Sequence, residues 1–368
     1  MTTNFPYHSI PREARWREVV AGRIPEAIDP HFQTQLRIRT EDRIASAGSC
    51  FAQRISAALQ NDGFNYLVTE NGSPFLAPDE RKRLGFGLYS ARYGNVYTAL
   101  QLVQLLRRAY GKFDSQEPLW RLPNGHWVDP YRPAVQEGGF ATESECLWDR
   151  KAHLAAVRKM FEQVDVFIFT LGLTEAWLSR ADGSVFPACP GSSLGGEFSQ
   201  DQYVFHNFSV TEVVGHMNTF LSEFALINPA AQVILTVSPV PLMATYEPRH
   251  VLQATTYSKA VLRVAAEELR SRHANVHYFA AYEIVNHTGD SAAYFQEDLR
   301  GIAGRAVQHV IQCFHRQFTG LDGRSLEGAE SRSHAPESGQ ADTERKPVCD
   351  EELVMAALAD QAQMERSG

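Results

Sequence analysis

The sequence predicts a three-layer α/β/α domain: a parallel sheet with helices on both faces and long loop insertions. Two observations carry this. Residues 164–171 and 232–237 are almost continuously apolar, as strands buried on both faces of a parallel sheet are. Each such run is followed, beyond a loop, by apolar residues at helical spacing, and strands alternating with helices are joined by crossovers into a parallel sheet. Ligands of such sheets gather beyond the C-terminal ends of the strands, so the loops there are the first place to look for chemistry.

Taken in order, residues 1–40 are polar and broken by Pro6, Pro11 and Pro25. They read as an irregular arm anchored by Trp16 and Phe32, not as a signal peptide. Residues 44–48 form a short strand ending at Gly48. Phe51, Ala52, Ile55, Ala58 and Leu59 then recur at helical spacing, so Ser49 falls on a sharp strand-to-helix turn. Residues 64–68 suggest a further strand, and 71–74 a turn. A helix with Val96, Leu100, Val103, Leu106 and Ala109 on its buried face follows Gly94 and Asn95.

Residues 111–146, rich in Gly, Pro and Trp, read as an insertion roofing a site. A helix with Leu154, Val157 and Phe161 then leads into the strand at 164–171, which ends in Gly172-Leu173-Thr174-Glu175. A second insertion spans 182–208. Ser209 and Glu212 form a capping box for a helix that buries Val213, Met217, Phe220 and Phe224. After the strand at 232–237 come Ser238-Pro239, a loop with His250, a helix over Ala260–Leu269 in outline, a strand at 276–279 and a last helix at 305–318. Residues 320–347 carry too few apolar side chains to bury and read as disordered. A short terminal helix fits 353–358. The organisation expected is an arm (1–40), one domain (41–319) and a tail (320–368).

The chain has 368 residues, 44% hydrophobic and 11% aromatic, which supplies a sizeable core. A net charge of −8, with no basic run longer than 81–83, speaks against nucleic acid as a partner. No apolar stretch approaches 18 residues, so no membrane span is expected. Five widely spaced cysteines show neither zinc nor disulfide spacing. The expectations are a cytoplasmic protein with no metal and no cofactor.

Ser49 has two readings. Serine is a favoured N-cap residue. The same turn also suits a nucleophile, because amides at a helix start stabilise a developing oxyanion. The residues Gly48-Ser49-Cys50-Phe51-Ala52 resemble the signature of the GSCFA family. Asp129-Pro130-Tyr131-Arg132-Pro133, Thr170-Leu171-Gly172-Leu173-Thr174-Glu175-Ala176-Trp177, Ser238-Pro239-Val240-Pro241-Leu242 and Tyr257-Ser258-Lys259 are similar to its further blocks, in order. The resemblance covers roughly residues 30 to 318. It implies an SGNH-like (flavodoxin-like) fold and a serine esterase or acyltransferase, with Ser49 as nucleophile in place of the adjacent Cys50.

The resemblance also implies where partners of Ser49 belong. Gly94 or Asn95 and Thr174 would assist the oxyanion; Gly172-Leu173-Thr174-Glu175 stands where a Gly-x-Asn-Asp block is usual, and Glu175 would orient a base or hold substrate. The usual Asp-x-x-His appears as Asp298-Leu299-Arg300-Gly301, with glycine in place of histidine. His250, past a strand end, is then the expected base, oriented by Asp298 or Glu175, with His153 next in line. Lys259 and Arg263, four apart on a helix, would meet an anionic group or simply face solvent. Gly191–Gly196 in sequence is glycine-rich but follows no strand, a weak phosphate-loop signal. The function expected is transfer or hydrolysis of an O-acyl group on a carbohydrate or small-molecule substrate, with an acyl donor if a transferase. The alternative is an inactive fold that binds a glycan or partner.

Overall fold

The computed structural model describes residues 6–31, 34–287, 291–320 and 349–367. Phe32 and the stretch 321–348 lie outside the described residues. In the arm, α1 (Trp16–Val19) leaves Trp16 69% exposed, so it anchors nothing. The domain then runs β1 (Ile44–Gly48), α2 (Cys50–Asn61), α3 (Pro78–Arg83), α4 (Ala99–Ala109), β2 (Trp120–Arg121), β3 (Trp127–Val128), α5 (Glu143–Gln163) and β4 (Val166–Leu171). It continues through β5 (Glu175–Ser179), β6 (Val185–Phe186), β7 (Tyr203–Asn207), α6 (Val210–Ile227), β8 (Gln232–Val237), α7 (Val251–Arg272), β9 (Val276–Phe279), α8 (Ala281–Asn286) and α9 (Gly304–Phe318). A final helix, α10, spans Asp350–Ser367.

The central sheet has the order β1-β4-β8-β9, every pairing parallel. Side chains alternate between its faces, as the two-residue period of a strand requires. Ala45, Ala47, Phe167, Phe169, Val233 and Leu235 pack toward one layer, with the buried faces of α4, α5, α6 and α7. Ile44, Val166, Ile168 and Ile234 pack toward the other, with α2, α8 and α9. Both faces are therefore covered, which is why these strands read as unbroken apolar runs. The stretch at 64–68 is not a full strand; it meets β1 through a single parallel bridge, Ile44 to Tyr66.

The insertions carry sheets of their own. β2 and β3 form a small hairpin, and β6-β5-β7 an antiparallel sheet. Residues 175–179 are a strand, held by pairing of Trp177 with Phe205 and Phe186. The Asp129-Pro130-Tyr131-Arg132-Pro133 block is structural. Asp129 accepts from Arg132 (2.9 Å) and Arg150 (2.9 Å), while Asp149 accepts from Arg132 and Arg92, all mostly buried. This network ties the first insertion to α5.

Candidate active site

The tips of β1 and β4 approach so closely that only glycine fits. Gly48 pairs with Thr170 at a φ of +149°, and a Cβ there would lie 2.6 Å from the Thr170 Cβ and carbonyl oxygen. A Cβ on Gly172 would lie 3.1 Å from the Ser49 Cβ. Ser49 is thus held at the sheet edge with Gly172 against it. It occupies the N-cap position of α2, yet its side chain makes no capping bond. Its hydroxyl oxygen is buried and has no hydrogen-bond partner among the described residues. The purely capping reading of Ser49 therefore does not hold.

Ser49 opens on a small cavity shared with Cys50, Gly172, Ser238, Lys259, Arg300 and Glu351. Lys259 is 2% exposed. Its Nζ donates to the Gly172 carbonyl at 2.6 Å, directly beside Ser49. Burial lowers its pKa to about 8, against the opposing pull of Glu351. Neighbouring Ser258 accepts from the Thr174 amide at 3.1 Å. The Tyr257-Ser258-Lys259 block thus grips the loop after β4. Arg263 does not share this role; it pairs with Glu283 and Glu267, so the two basic residues form no joint anion site.

Asn95 lies one side chain away. The Tyr89 hydroxyl sits 3.0 Å from the Ser49 carbonyl and 2.9 Å from Asn95 Oδ1. The Asn95 amide donates to Asp350 Oδ2 at 2.8 Å, and the Tyr97 hydroxyl to the same oxygen at 3.1 Å. Asp350, 3% exposed, has its pKa raised to about 6 by burial. Gly94 adopts a left-handed φ of +68° beside it, which turns the chain into the Asn95 position. The first turn of α10 thus occupies the mouth of the site: Arg300 donates to Glu351 at 3.0 Å and also to Glu352.

The structure does not bring the expected acid–base pair to Ser49. His250 is exposed and caps α7, its Nδ1 accepting from the Leu252 amide at 3.1 Å. From 250 to 259 the helix rises by about 13 Å, which leaves His250 far from the Lys259 end. Asp298, also exposed, accepts from the backbone amides of Arg300 and Gly301. A Cβ on Gly301 would lie 2.5 Å from Gln296 Oε1, the end of an exposed side chain that would have to swing aside. His153 is buried against Glu70 at 2.8 Å. Among the described residues, no histidine lines the Ser49 cavity.

Thr174 and Glu175 face outward from this cavity. The Thr174 hydroxyl donates to Asn207 at 2.7 Å, and Glu175 accepts from the Thr245 hydroxyl at 2.6 Å. Glu175 instead belongs to a neighbouring cavity of about 440 Å³, which shares Tyr97, Leu173, Leu242 and Glu351 with that of Ser49. Its walls are aromatic: Trp177 packs edge-on against Phe198, Phe205 and Tyr246, and α10 supplies Val354 and Met355 opposite. Burial raises the Glu175 pKa. Residues 191–196 make a tight turn bridged between Ser192 and Gly195 and cradle no helix start.

Sequence reasoning missed the head of α10. Its signal was present: three acidic residues in succession, Asp350, Glu351 and Glu352, before an apolar run, the charge pattern of a helix N-terminus. Among the described residues no helix is long and apolar enough to cross a membrane.

No curated protein matches the chain in sequence. A carbohydrate esterase family 3 structure from Talaromyces cellulolyticus is similar at 10% identity and a TM-score of 0.36, over 79% of this chain and 99% of that one. A mutant acetyl esterase with acetate ion is similar at 10% identity and a TM-score of 0.34, over 80% and 99%. Likeness this faint carries no weight for the chemistry. The GSCFA family profile, in contrast, matches residues 43–314, which hold the whole central sheet and the Ser49 turn: the chain belongs to the GSCFA family.

Proposed function

We propose that the protein transfers acyl groups through Ser49, with Lys259 in the place of the absent histidine. The observation that carries this is the pairing of a buried, unpartnered serine hydroxyl with a buried amine in one small cavity. A lysine whose charge is disfavoured by burial becomes a base near neutral pH. Its bond to the Gly172 carbonyl fixes the nitrogen and leaves the lone pair of the neutral amine available.

In this reading Ser49 Oγ attacks the ester carbonyl carbon while Lys259 takes the hydroxyl proton. The oxyanion meets the first amides of α2, which have no partner within the helix. The Asn95 amide joins them once Asp350 withdraws. Collapse of the tetrahedral adduct expels the alcohol, to which Lys259 returns the proton, and leaves Ser49 acylated. Water then completes hydrolysis, or a second hydroxyl completes transfer. The aromatic cavity next door suits the apolar faces of a sugar ring, with Glu175 and the Thr245 hydroxyl as polar contacts. The substrate class we propose is therefore the O-acylated carbohydrates.

A second reading rests on Gly301 and on α10: with no histidine at the cavity and the mouth covered, the fold would bind without turnover. A fluorophosphonate probe, which reacts only with an activated serine, separates the two. Adduct on the wild-type protein and none on Ser49→Ala supports acyl transfer. No adduct on either favours the binding reading.

A further inference from the structure

Cys50 and Cys349 come from opposite ends of the domain and meet at the mouth of the Ser49 cavity. Cys50 is the first residue of α2, next to Ser49, and Cys349 precedes α10, where its carbonyl accepts the first helical bond, from the Leu353 amide at 3.1 Å. Both are buried, and their side chains are neighbours, each perturbing the other's titration. The Cys349 sulfur also accepts from Arg300 Nη2 at 3.6 Å and from the Glu352 backbone amide, and lies 3.9 Å from the Tyr97 hydroxyl. A helix N-terminus, a guanidinium and a second thiol all favour the thiolate.

We infer that Cys349 and Cys50 are a redox-active dithiol, which a hydroperoxide converts to a disulfide that fastens α10 over Ser49. The electrostatics divide the roles. The neighbouring Cys50 side chain lowers the Cys349 pKa to about 6, against the effect of burial. The neighbouring thiolate and burial together push Cys50 well up. The directions favour the thiolate on Cys349 and the thiol on Cys50. The remaining cysteines are inert by comparison: burial raises Cys146 to about 12 and Cys189 to about 11, and raises Cys313 further.

The chemistry balances in two steps. The Cys349 thiolate attacks one peroxide oxygen; the O–O bond breaks, and the departing alkoxide or hydroxide takes a proton from water, leaving the sulfenic acid. The Cys50 sulfur then attacks the Cys349 sulfur, its own proton combining with the expelled hydroxide as water. Two thiols and one hydroperoxide yield one disulfide, one alcohol (or water) and one water. Each sulfur gives up one electron, and the peroxide gains two.

The test uses the full chain, reduced and then exposed to equimolar hydrogen peroxide, alkylated, and digested with trypsin without reductant. The expected result is a peptide pair joining 44–54 to 346–366, with Cys146, Cys189 and Cys313 alkylated. Cys50→Ser should block the disulfide and leave a dimedone-trappable sulfenic acid on Cys349. Five alkylated cysteines after oxidation, or a disulfide of Cys349 with any other cysteine, would overturn the inference. The disulfide is read by mass and does not depend on Ser49 being active. If the pair forms but the reduced protein never takes a fluorophosphonate, the acyl-transfer reading fails and the dithiol stands.

Discussion

Replacing Lys259 with methionine separates a catalytic amine from a structural one. Methionine keeps the length and apolar stem but removes the charge and the proton-accepting nitrogen. Holding the amine at about 8, against its ordinary value of about 10.4, costs the folded wild type roughly 3 kcal/mol at pH 7. The variant escapes that penalty but leaves the Gly172 carbonyl without its donor, a loss of about 1–3 kcal/mol. The two nearly cancel, so Lys259→Met should fold with close to wild-type stability at pH 7. The balance shifts with pH. The folded-state pKa is depressed, so between about 8 and 10.4 the unfolded chain binds more protons, and the lysine's penalty fades as pH rises. From pH 7 to 9.5 the wild type should gain roughly 2 kcal/mol over the variant, read from urea midpoints. Fluorophosphonate labelling of the wild type should climb about tenfold from pH 7 to 9 as the amine loses its proton, while the variant labels at least a hundredfold more slowly, as loss of a general base implies. A variant that labels at the wild-type rate with the same pH profile would refute the role of Lys259.

Further outcomes follow from the same geometry. Ending the chain at Gly320 should leave the domain folded, because neither core cluster includes a residue beyond Phe318. It should also raise the Ser49 labelling rate by freeing Asn95 and Arg300; an unfolded product in thermal melts, or slower labelling, would contradict this. His250→Ala should cost about 1 kcal/mol of helix capping and leave labelling unchanged, since among the described residues the ring serves the Leu252 amide. Asp129→Asn should destabilise by about 3–5 kcal/mol in urea unfolding, because Arg132 and Arg150 are left around an uncharged buried partner.

The core of the central sheet was legible because β4 and β8 are buried on both faces and therefore almost continuously apolar, and could be placed from that alone. The Ser49 turn was legible because Gly48 and the helical spacing after it are local features. What sequence could not supply lies in long-range contacts. Lys259 and Arg263 look alike as two basic residues a helical turn apart, but one meets Gly172 and is buried, and the other meets Glu283. His250 followed a strand end and so looked catalytic, yet its position at the far start of a 22-residue helix carries it away from Ser49. Glu175 begins a strand only through its pairing with Asn207 of β7, a contact 32 residues along the chain. The polar stretch before Cys349 hid the fact that the chain returns to the site, with Asp350 on the Asn95 amide and Cys349 on Cys50.

The most direct measurement is acid-quenched mass analysis of the protein shortened at Gly320 and mixed briefly with an activated acyl ester. An acyl adduct on the 44–54 peptide, located at Ser49, absent from Ser49→Ala and retained in Cys50→Ala, is the predicted result. No adduct, or one on Cys50, would contradict a serine acyl-enzyme at this turn.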